Sequence, residues 1–174
     1  MANERAIPVE WSVRAQNLPE HAHNRIHTDE GAREAGFPAA LVAGVTTYAY
    51  QCHPLIAAWG LDWVARGGCE LRLKSPVFQD DLVRCVPRPG EDGTVIVDAL
   101  VADSPALAAQ TRNAGAVSDV EQHTDLAKPR AVVQAWRVDT RVQSDRLGEE
   151  LPVEQFVLDD NHGPDYAVRA GDDL

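Results

Sequence analysis

Apolar and polar residues change their period twice along the chain. From Ile7 they alternate, with Ile7, Val9, Trp11 and Val13 on one side, the two-residue repeat of a half-buried strand. Pro8 places that strand at a sheet edge or at a strand start. Ala15 to His21 is compatible with a short helix weakened by Pro19, and His21 to Thr28 has no period and reads as a loop. Thr28 can cap a short helix through Glu34, with Asp29 and Glu30 in its first turn. Gly36 suits the left-handed stop, and Phe37-Pro38 turns the chain.

From Gly44 the spacing becomes three and four. Val45, Tyr48, Ala49, Cys52, Leu55, Ile56 and Trp59 form a broad apolar stripe on a helix. Pro54 should kink or divide that helix, and Gly60 ends it. The period then returns to two. Cys69, Leu71 and Leu73 alternate with Glu70, Arg72 and Lys74, which predicts a second strand. Gln79-Asp80-Asp81 turns into a strand over Leu82 to Val86, stopped by Pro87. Asp92-Gly93 is a hairpin signal before a strand over Thr94 to Val101. Asp103-Ser104-Pro105 turns again, and Ala106 to Val117 reads as the fifth strand. Five strands and one apolar helix make an α+β architecture, an antiparallel sheet wrapped around the helix.

Beyond it, residues 119–150 read as a linker with an extra strand over Ala131 to Val138. Leu151-Pro152-Val153-Glu154-Gln155-Phe156-Val157 resembles Ile7 to Val13, so residues 151–174 are expected to open a second, truncated copy of the fold.

Charge narrows the function. The 174 residues carry a net charge of −11, with no cluster of lysine and arginine. That excludes a nucleic-acid footprint. The acid is densest between Asp145 and Asp173, as on a solvated surface. Cys52, Cys69 and Cys85 are far apart with no CxxC pair, which suits reduced thiols in the cytoplasm. No apolar run is long enough for a membrane span or a signal core. His21, His23 and His27 could gather three imidazoles, but no fourth ligand accompanies them, so neither metal nor cofactor is expected.

Four pieces carry a resemblance: Asn24-Arg25-Ile26-His27, Gly36-Phe37, Val42-Ala43-Gly44-Val45 and Lys74-Ser75-Pro76-Val77-Phe78-Gln79-Asp80-Asp81. In order and spacing they resemble the MaoC-like hotdog family of (R)-specific enoyl-CoA hydratases and acyl dehydratases. The resemblance covers residues 5–118, the expected hotdog domain, and extends to the N-terminal part of double-hotdog members. It implies a catalytic His27, a supporting Asn24, and a Gly44 whose N–H faces the thioester carbonyl. Val45 and Tyr48 follow as substrate contacts. A helix-start donor is suited to charge that grows on the carbonyl oxygen as water adds. The implied partners are acyl-CoA or acyl carrier protein thioesters, and a second hotdog unit or a second copy of the chain.

Three positions depart from that pattern: the family's aspartate falls at Ala22, its usual proline after the asparagine at Arg25, and the histidine often found before the helix glycine at Ala43. The lost carboxylate matters most. Three functions therefore stay open: an impaired hydro-lyase, a non-catalytic acyl-thioester-binding or structural hotdog subunit, and a hotdog thioesterase. The last needs a carboxylate near the helix start, and none occurs from Gly36 to Gln51. Glu20, His23 and Asp29 are the neighbours able to stand in for the lost group. The plainer roles are a loop histidine bonded to backbone for His27, a turn asparagine for Asn24, and a packing glycine for Gly44.

Overall fold

The computed structural model describes residues 7–113 and 127–138. Five strands form one antiparallel sheet: β1 (Trp11–Arg14), β2 (Gly68–Leu73), β3 (Leu82–Pro89), β4 (Val95–Asp103) and β5 (Ala131–Trp136). Their order is β1-β3-β4-β5-β2. The helices are α1 (Asp29–Glu34), α2 (Gly44–Trp59), α3 (Leu61–Arg66) and α4 (Pro105–Asn113).

Register makes one face of the sheet continuous. Val13 lies opposite Val83, Val83 opposite Val101, Cys85 opposite Ala99, and Ala99 opposite Ala131. Val133 lies between Val97 and Leu71. Because side chains alternate along a strand, these residues share a side, and the central ones have no exposed area. Ala99, Ala131 and Ala135 keep that face shallow, so α2 can lie close on it. Tyr50, Leu55 and Trp59 of α2 join the same core. An antiparallel five-stranded sheet around one long helix is the α+β hotdog architecture expected above.

Two of the predicted elements exchange places. Residues 106–113 of the predicted fifth strand are helical, and residues 114–117 lie outside the described residues. Pro105 instead starts α4, where its missing N–H is harmless, and Ala106-Leu107-Ala108-Ala109 favours the helix. The fifth strand is β5, inserted between β4 and β2. The sheet therefore reaches Trp136. Other expectations in residues 114–126 and 139–174, including the second copy, lie outside the described residues.

β3 continues through Pro87 to Pro89, still paired with β4. The two prolines remove N–H donors on β3 beyond Cys85, which fits β1 beginning only at Trp11. α2 is not divided at the fully buried Pro54. Ala15 to His21 holds only a single 3₁₀ turn, Pro19–His21. The buried side of α2 is also broader than the apolar stripe. Thr46, Thr47, Gln51 and His53 are buried while Val45 is 59% exposed. Gln51 Nε2 donates to the Val97 carbonyl at 2.7 Å, and Trp11 stacks on His53 with centroids 3.8 Å apart. Among the described residues no helix is long and apolar enough to cross a membrane.

Candidate active site

The segment before α2 is pinned on two sides. Leu41 N–H donates to the Ile26 carbonyl at 3.2 Å, and Val42 N–H donates to the Val77 carbonyl at 2.8 Å. The first bond ties the helix start to the 3₁₀ turn Arg25–His27, and the second ties it to the stretch after β2. Together they bring His27, Gly44 and the Leu73–Val77 stretch to one cleft of about 310 Å³. Leu41, Val42 and Thr47 complete its wall.

His27 is half-buried, and its Nδ1 lies 2.8 Å from the Leu41 carbonyl oxygen. A carbonyl only accepts, so Nδ1 carries the hydrogen. In the neutral ring the lone pair is then on Nε2. Asn17 Nδ2 donates to the His27 carbonyl at 2.7 Å and steadies the turn. Asn17 was not singled out by the sequence, since a polar residue in an aperiodic stretch gives no signal.

At the helix start, Ala43 has extended backbone and its carbonyl accepts from Thr46 and Thr47. No side chain caps α2. The first N–H groups of a helix have no partner within it, and among the described residues none is found for that of Gly44. It is a free donor at the positive end of the helix dipole.

Asn24 plays a different part in the geometry. Its Oδ1 accepts from Ile26 N–H at 3.4 Å, as the cap of the His27 turn, and it is exposed and does not line the cleft. Tyr48 lines a second, apolar cleft of about 320 Å³, with Cys52, Ile56, Trp63 and Cys69. Its hydroxyl is 3.0 Å from Cys69 Sγ, and burial followed by that contact pushes the phenol's pKa up. The two clefts lie along the seam between α2 and β2, one at Leu73 and the other at Cys69. Cys85 is on β3, separated from β2 and Cys69 by β4 and β5. Burial pushes its thiol up as well.

No carboxylate among the described residues lines the His27 cleft. Ala22 is exposed at the end of the Pro19–His21 turn. Asp29 Oδ1 accepts from Ala40 N–H at 3.0 Å, and its Oδ2 pairs with Arg33 at 3.1 Å. His23 Nδ1 faces the Glu20 carbonyl at 2.9 Å. The ring nearest in kind is His21, with its centroid 5.8 Å from that of His27. Among the described residues no group of three His, Cys, Asp or Glu could hold a metal ion.

Gly31 is a second residue that the sequence did not single out. A Cβ there would fall 2.2 Å from the Arg25 carbonyl oxygen. α1 thus packs backbone to backbone on the turn that carries His27. A glycine inside a short helix, where it is disfavoured, was the available signal. Gly31→Ala is expected to cost about 1–3 kcal/mol through backbone displacement. Urea denaturation checks this, and unchanged stability would contradict the close packing.

Neither a protein-family model nor a curated protein matches the chain. Among solved structures it is similar to a MaoC-like dehydratase from Phytophthora capsici, with a TM-score of 0.46 and 19% identity. The match covers 59% of this chain and spans 39% of that protein's length.

Proposed function

We propose that the His27 cleft binds an enoyl thioester and adds or removes water across its double bond. The observation that carries this is the shared cleft: an imidazole with its Nε2 lone pair fixed and a free helix-start N–H at Gly44. The thioester oxygen accepts from Gly44 N–H. Water attacks the β-carbon as His27 Nε2 takes its proton, and charge gathers on that oxygen, where the donor and dipole favour it. The imidazolium, still bonded through Nδ1–H to Leu41, returns the proton to the α-carbon. Dehydration is the reverse.

The acyl tail extends along the α2–β2 seam toward Tyr48, where the second cleft is apolar. The partner is an acyl-CoA or acyl carrier protein thioester. Among the described residues β2 ends the sheet, and the neighbouring Val45 and Leu73 are exposed, which suits a homodimer or a second hotdog unit along that edge. Three free cysteines suit a reducing cytoplasm.

A second reading has its own observation. Among the described residues no carboxylate lines the cleft, so no negative side chain there counters the charge that forms on His27, as in a non-catalytic acyl-thioester-binding or structural subunit. The same lack counts against a thioesterase. Ala22→Asp separates the first two. If the protein is an impaired hydro-lyase, wild type hydrates trans-2-butenoyl-CoA measurably. Activity that appears only in Ala22→Asp favours the binding subunit, and activity in neither contradicts the enzyme.

A further inference from the structure

We propose that Leu73 selects the acyl group, admitting unbranched thioesters and excluding those with a substituent on the carbon next to the carbonyl. This rests on the acyl-thioester reading above and adds the substrate class to it.

Leu73 is the last residue of β2, paired with Ala131. The next N–H, from Lys74, donates to the Arg130 carbonyl at 2.8 Å. The backbone is therefore held by β5 on one side. The side chain reaches the start of α2: a Cβ on Gly44 would lie 2.6 Å from Leu73 Cδ1. Leu73 occupies the space that the glycine leaves. It does so while 56% exposed, so burial in the core does not account for its position, and it lines the same cleft as His27.

A thioester oxygen on Gly44 N–H puts the carbonyl carbon beside the Gly44 α-carbon. The acyl α-carbon is one bond further, over the helix start that Leu73 borders. A methyl group on it would add bulk on the side that Leu73 borders, where a hydrogen adds almost none. Discrimination by one methyl in an apolar wall is typically about 10–200-fold.

The test compares butanoyl-CoA with 2-methylbutanoyl-CoA by isothermal titration, which needs no turnover. Wild type should bind the branched ligand at least about 10-fold more weakly. Leu73→Ala should close most of that gap by strengthening the branched ligand, and Leu71→Ala should leave it open. Thermal unfolding of each variant separates lost fold from lost selection. Equal affinities in wild type, or a gap that persists in Leu73→Ala, overturn the role of Leu73 and leave the acyl-thioester reading standing. Binding of neither ligand by wild type overturns that reading and this inference with it.

Discussion

Replacing His27 with alanine is expected to lower hydration of trans-2-butenoyl-CoA by at least about 10²-fold, the usual scale for a positioned base. The ring has two duties. Nδ1–H bonds Leu41, which aims the ring, and Nε2 does the proton transfer. His27→Asn keeps an N–H donor but has no base, so it should lose as much activity as alanine. Stability should change little, by about 1 kcal/mol, the usual net worth of one hydrogen bond in a half-buried position where water can replace the lost donor. Activity that survives in both variants would move the chemistry elsewhere.

The second large effect concerns Asp81, which has no exposed area. Its Oδ2 accepts from Phe78 N–H at 2.9 Å, and its Oδ1 accepts from the Ser104 hydroxyl at 2.5 Å. Burial pushes the carboxyl up from 3.8 to about 6, although those two donors and the charge of Arg130 oppose it. A raised acid stabilises the fold through its protonated form. That contribution is fully present below 3.8, where both states hold the proton. It declines as pH rises to about 6, where the folded state loses the proton too. The whole swing is about 3 kcal/mol. Asp81→Asn keeps an acceptor for Phe78 and a donor toward Ser104 Oγ, so it should remove this pH dependence. Asp81→Ala leaves both donors without an acceptor and should cost about 1–3 kcal/mol for each. Denaturation curves across that range check both variants. Asparagine as damaging as alanine would contradict the account.

The frame was legible where side-chain period is strong. Alternation gave β2, the Asp92-Gly93 hairpin signal announced β4, and the spacing of three and four gave α2 from its glycine. It failed where period is mute. Ala106 to Ala109 is too uniform to distinguish strand from helix, and Pro105 was the better guide. Ala131 to Trp136 alternates well, but only the three-dimensional pairing shows it inside the sheet. The apolar stripe on α2 missed Thr46, Gln51 and His53, because a wrapped helix buries polar residues too when a strand carbonyl or a ring can receive them.

The site divides in the same way. Motif spacing singled out His27 and Gly44, which the fold brings to one cleft. It also singled out Asn24 and Tyr48, which the fold places in a turn cap and a separate apolar cleft. Asn17, Gly31 and Asp81 support the site or its frame through backbone contacts, and such contacts leave almost no trace in residue type. The missing carboxylate was visible as Ala22, and the structure supplies no substitute among the residues lining the cleft.

The most direct test is a nuclear magnetic resonance titration of the protein with butanoyl-CoA, which cannot be hydrated. The account predicts that the Gly44 amide and the His27 ring shift together and saturably, with Nδ1 protonated in the neutral ring. Saturable binding that leaves both resonances unmoved, or a neutral ring protonated on Nε2, would contradict it.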